Sequence, residues 1–87
     1  MIEIDPSNPV AHYNLAACYI NLGDIPMALE VLGRGIAYWP ASHRLYVLKG
    51  RAHERSGDLS AARRALARAL ELQPDDPEVR LLYEQLR

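Results

Sequence analysis

A 34-residue period restricts what this chain can fold into more than any other feature. Residues Pro9 to Ser42 and His43 to Asp76 lie in register: Gly23-Asp24 falls on Gly57-Asp58, Ala28 on Ala62, Leu32 on Leu66 and Pro40 on Pro74. A period of this size marks a supersecondary unit that cannot bury its apolar face alone and must stack on its neighbours. Ile2 to Pro6 matches the end of a preceding copy, and Pro77 to Arg87 matches the first helix of a following one. The register divides the chain into a remnant (1–8), two full units (9–42 and 43–76) and a terminal helix (77–87).

Within a unit the punctuation predicts helix, short turn, helix. Asn8 can cap and Pro9 presets the first φ of a helix running to about Leu22. Its apolar and small residues fall on two stripes, Ala11-Leu15-Cys18-Leu22 and His12-Ala16-Tyr19, so it needs two neighbours. Gly23 ends it, Asp24 caps a second helix to about Tyr38, and Pro26 is tolerated in that helix's first turn. Ser42 is the expected cap of a third helix, Gly57-Asp58 turns it into a fourth ending near Leu72, and Pro74-Asp-Asp-Pro77 opens a fifth. No strand pattern occurs, and the fold class is all-α.

Composition sets the kind of surface available. A domain of 87 residues buries roughly 60 to 65% of its unfolded surface, so a groove is expected rather than an enclosed cavity. The single cysteine excludes an internal disulfide, and Cys18 is expected to be buried as a small apolar residue. No apolar run approaches the roughly 18 residues of a membrane span, which predicts a soluble, cytoplasmic segment. Although the formal net charge is −1, Arg44 to Gln73 holds seven basic residues against Glu54, Asp58 and Glu71. The middle of the chain is basic.

The units resemble tetratricopeptide repeats, whose signature is W-x2-L-G-x2-Y, then A-x3-F, then P. His12, Leu15, Ala16, Tyr19, Ala28, Leu32 and Pro40 stand in the signature positions of the first unit. In the second they are Tyr46, Lys49, Gly50, His53, Ala62, Leu66 and Pro74. The departures are His12, Lys49 and His53, read as satisfied, partly buried histidines and a snorkelling lysine. The resemblance implies antiparallel helix-turn-helix repeats stacked as a right-handed α-solenoid. Small residues allow close crossing, with Ala16 expected to face Ala28 and Gly35, and Gly50 to face Ala62 and Ala69.

In the last helix the resemblance lays Val79, Tyr83 and Leu86 against the fourth helix, while Arg80, Glu84 and Arg87 give the polar outer stripe of a capping helix. The opposite end presents Ala11, Leu15 and Cys18 towards a missing neighbour. More repeats are expected upstream, and so is self-association through that strip in their absence.

No enzyme constellation emerges from the residues. His12, His43, His53 and Cys18 show neither CxxC nor HxxxH spacing, so no metal site is expected. Gly33-Arg34-Gly35 sits mid-helix without the strand a phosphate loop follows. Arg63, Arg64 and Arg68 read as an ordinary solvated face.

The binding surface is expected on the first helix of each unit, which the resemblance makes concave. Arg44, Leu48, Arg51 and Arg55 recur at helical spacing, with Asn14, Ala17 and Asn21 below and Leu82 above, Val10, Glu78 and Gln85 sharing their register, and Tyr13 and Val47 bordering them. Asn14 and Arg44 match two slots of the carboxylate clamp of co-chaperone members. Leu48 replaces a basic residue in a third, and the slots of an upstream unit are absent, so a complete clamp is not expected. The resulting expectation is a non-catalytic module that binds a protein or an acidic-hydrophobic peptide without cofactor or metal. The alternatives are a regulatory or scaffolding segment of an enzyme whose catalytic domain lies upstream, and RNA binding through the basic middle.

Overall fold

The computed structural model describes residues 8–86. Among them are five α-helices and no strand: α1 Pro9–Leu22, α2 Ile25–Tyr38, α3 His43–Ser56, α4 Leu59–Leu72 and α5 Pro77–Gln85. Residues 1–7 of the proposed remnant (1–8), and Arg87, lie outside the described residues.

Local chemistry accounts for the helix bounds. The Asn8 side chain accepts from the Val10 and Ala11 amides at 2.9 and 3.3 Å, and Asp24 accepts from Met27 at 3.3 Å. Asp58 accepts from Ala61 at 3.1 Å, and Asp76 from Glu78 and Val79 at 3.0 and 3.4 Å. Each bond satisfies an amide that the first helical turn leaves without an intrahelical partner. Ser42 departs from expectation: it occupies the N-cap of α3 but makes no side-chain capping bond. Gly23 and Gly57 end α1 and α3 at φ 83° and 89°, a left-handed conformation costly for a residue with a Cβ. The next amides, Asp24 and Asp58, return to the carbonyls of Tyr19 and His53 at 2.9 Å each.

The helices pair as α1 with α2 and α3 with α4, and α3 also packs across the unit boundary on α1 and α2. One buried cluster joins Ala16, Ile20, Ala28, Val31 and Leu32 of the first unit to Leu45, Leu48 and Ala52 of α3. A second comprises Leu66, Ala69 and Val79, with Tyr46, Val47, Tyr83 and Leu86 packed against it. Val79, Tyr83 and Leu86 thus contact the cluster the repeat register assigned them, while Arg80 and Glu84 are exposed.

The close crossings resolve to particular contacts. A methyl group on Gly35 would meet His12 Cβ at 3.0 Å and Leu45 Cδ1 at 3.1 Å, so Gly35 admits His12 and the next unit. On Gly50 it would meet Leu66 Cγ at 2.8 Å and the Ala62 carbonyl at 3.4 Å, so the close crossing to Ala62 holds, with Leu66 nearest. Cys18 is exposed rather than buried. The side of α1 that enters the core carries His12, Ala16 and Ile20, and Cys18 points away from it.

Candidate functional site

The first helices of the units and α5 line a groove made of two adjoining clefts. One, of about 160 Å³, takes Tyr13 from α1, His43, Arg44, Val47 and Arg51 from α3, and Val79, Glu78 and the cap residue Asp76 from the start of α5. The other, of about 240 Å³, is lined by Val10, Tyr13, Asn14, Ser42, Arg44 and Leu45. Tyr13 and Arg44 belong to both.

The groove supplies some of its own counter-charge. Arg51 Nη2 donates to Glu78 Oε1 at 3.1 Å, and His43 Nε2 lies 3.5 Å from Asp76 Oδ2. Arg44 and Arg55 are exposed and enter no ion pair among the described residues. The cationic stripe of α3 therefore divides: Arg51 pairs with Glu78 at the start of α5, beside the His43–Asp76 contact, and Arg44 faces outward.

Of the ten residues read as the groove, Tyr13, Asn14, Arg44, Val47 and Arg51 line these clefts. Leu48 does not. It is 3% exposed, packed among Leu45, Ala52 and Leu32, because the side of α3 turned to the first unit carries 45, 48 and 52. Leu82 packs against the second cluster, and Ala17 against the first. Asn21 and Arg55 are exposed but outside both clefts. Glu78, which shares the register of the groove, forms its acidic wall together with Asp76. Asp76 escaped the groove reading; its signal lay in the repeat register, which sets the start of α5 beside the start of α3.

A tetratricopeptide repeat model matches residues 15–87. The chain belongs to the tetratricopeptide repeat family. It is similar to the first TPR domain of Spaghetti (RPAP3) bound to the HSP90 peptide SRMEEVD, at 27% identity over 94% of the chain with a TM-score of 0.85. It is similar also to the first TPR domain of human RPAP3, at 27% identity over 94% of the chain with a TM-score of 0.88. The chain spans 65% of the length of each of those two structures. Tetratricopeptide domains commonly mediate protein–protein interaction and are generally non-catalytic.

The departures from the tetratricopeptide signature separate into two kinds. His12 is 3% exposed, and its Nδ1 lies 3.0 Å from the Asn8 carbonyl, so it is a satisfied core histidine that also ties α1 to its cap. Lys49 and His53 are only half-buried and line a separate recess between α3 and α4. Burial, followed by the charges of Lys49 and Arg64, holds the His53 imidazole below its ordinary pKa, with Asp58 acting in the opposite sense. Among the described residues no three His, Cys, Asp or Glu side chains are placed to hold a metal, and no helix is long and apolar enough to cross a membrane.

Proposed function

We propose that the groove binds an extended segment of a partner protein, meeting an acidic group with Arg44 and Asn14 and an apolar side chain with Tyr13 and Val47. The observation that carries this reading is the unequal pairing of the groove arginines. Glu78 engages Arg51, whereas Arg44 lies exposed where both clefts meet, without a carboxylate partner among the described residues. An acidic ligand therefore gains an ion pair at Arg44, while at Arg51 it must compete with Glu78.

Exposed ion pairs contribute only about 0.2 to 1 kcal/mol each. Apolar contact must supply most of the affinity, and the arginine mainly orientation. The HSP90 peptide held by the similar Spaghetti domain, SRMEEVD, has a valine between acidic residues at its end, and that chemistry suits this groove. Its slots here are fewer, since Leu48 belongs to the core.

The test is fluorescence anisotropy with SRMEEVD and a scrambled control, against the parent, Arg44→Glu and Arg63→Glu. Charge reversal at Arg44 exchanges an attraction for a repulsion and is expected to weaken binding about tenfold or more, equivalent to about 1.4 kcal/mol. Arg63→Glu makes the same charge change on α4 and is expected to alter it little. Equal loss in both variants would reduce the effect to net charge and overturn the groove.

A further inference from the structure

We propose that Lys49, His53 and Arg64, with Arg68 beside them, form a second binding site, for a phosphate-class dianion, in the recess between α3 and α4. This recess, of about 290 Å³, shares no residue with the groove. Lys49 and Arg51 are two positions apart on one helix and so project about 200° apart around it. A ligand in the recess leaves the peptide groove open.

The recess exists because two signature positions are polar. Tyr46, Lys49 and His53 follow at three- and four-residue steps and form one stripe of α3, facing Arg64 and Arg68 one turn apart on α4. Apolar residues at 49 and 53 would meet α4 as packing. Instead a lysine and a histidine converge on two arginines.

Their charges are unevenly compensated. Glu71 accepts from Arg68 at 2.8 Å and so occupies that guanidinium. Lys49 and Arg64 enter no ion pair among the described residues, and Asp58 is the one carboxylate lining the recess. Two unmatched cations suit a dianion, the guanidinium offers paired N–H groups that match phosphate oxygens, and His53 adds a third donor once protonated. The absence of a longer basic track within the recess favours a single anionic group over a polyanionic strand.

His53 also serves as the reporter. Burial and the neighbouring Lys49 and Arg64 hold its pKa below the ordinary imidazole value, against Asp58; Tyr46 and Arg68, with Ala61 and Ala65, complete the groups lining the recess with it. A bound anion offsets both cations, so it raises the His53 pKa, and by linkage the anion binds more tightly as pH falls through that pKa. Sulfate isolates this effect because it stays dianionic throughout.

The experiment follows the His53 ring and backbone amide resonances during titration with inorganic phosphate, with sulfate and with a phosphoserine peptide, sodium chloride holding ionic strength constant. Saturable shifts centred on Lys49, His53 and Arg64 are expected, together with a higher His53 pKa in sulfate than in chloride. Lys49→Leu, which restores the signature residue and so preserves packing, and Arg64→Gln should each weaken binding about tenfold. Arg44→Gln, in the groove, should leave it unchanged. At least tenfold tighter binding of the phosphoserine peptide than of inorganic phosphate assigns the site to a phosphorylated partner, and equal affinity assigns it to the free ion. An unmoved His53 pKa in sulfate, or parental sulfate binding by Lys49→Leu, overturns the proposal.

Discussion

At the scale of single residues, the demands of packing are clearest at the glycines, because Gly33 of α2 and Gly50 of α3 occupy helix interiors under opposite constraints. Gly33 has no atom within 4 Å of the place a methyl group would take, whereas at Gly50 that methyl would come within 2.8 Å of Leu66 Cγ. Leu66 is buried, so its branch point cannot simply swing into solvent. Replacing Gly33 with alanine should gain about 0.5 to 1 kcal/mol through reduced backbone entropy loss. Gly50→Ala starts with the same gain but adds overpacking of about 1 to 3 kcal/mol, and the net is a loss. Thermal melts followed by circular dichroism should therefore move in opposite directions for the two variants. A raised Tm for Gly50→Ala would mean that α3 and α4 separate without cost. The repeat register identified Gly50 as a close-crossing position, since Gly50 aligns with Ala16. It could not show that Leu66 makes the nearest approach there.

At the scale of elements, the helices were legible because each boundary is written in its own residues. Asn8, Asp24, Asp58 and Asp76 all cap through their side chains, and Gly23 and Gly57 both adopt the left-handed turn. Which side of a helix meets which neighbour was less legible. Adjacent positions lie about 100° apart on a helix, so Val47 and Leu48 are near neighbours on the surface of α3, and the crossing geometry of α3 on the first unit decides between them. Leu48 falls inside and Val47 lines the groove. Arg51 and Glu78 were both readable on the register of the groove, but their pairing was not, because it arises between helices rather than along one. The α3–α4 pairing is tested at Ala62, which is fully buried and whose carbonyl approaches Gly50. Ala62→Leu is expected to push these helices apart at a cost of about 1 to 3 kcal/mol. In an 87-residue chain this lowers Tm by several degrees, at about 4 to 8 °C per kcal/mol. A Tm equal to that of the parent would remove the pairing.

At the scale of the whole molecule, α3 is the element on which both binding proposals and the fold converge. It presents Arg44 and Val47 to the groove, Lys49 and His53 to the recess, and Leu45, Leu48 and Ala52 to the first unit. Stability in a stacked repeat array is approximately a sum of unit stabilities and interfaces between neighbours, so a change on the interface side of α3 should act on folding and one on the groove side on binding. Leu48 and Arg44, one helical turn apart, separate the two. Leu48→Ala removes a buried side chain from the cluster that joins the units and is expected to cost about 2 to 5 kcal/mol. That is a large share of the roughly 5 to 15 kcal/mol available to a small domain. Arg44→Ala removes an exposed side chain and should stay within about 0.5 kcal/mol of the parent in stability. Urea denaturation distinguishes the modes of failure. A lower midpoint with an unchanged slope means that Leu48→Ala weakens a single cooperative array. A shallower slope means that the units have uncoupled and unfold separately. The groove draws residues from both units, so uncoupling would also abolish peptide binding at temperatures where helicity persists. Retained stability in Leu48→Ala would return that residue to the surface and to the groove in which it was first read.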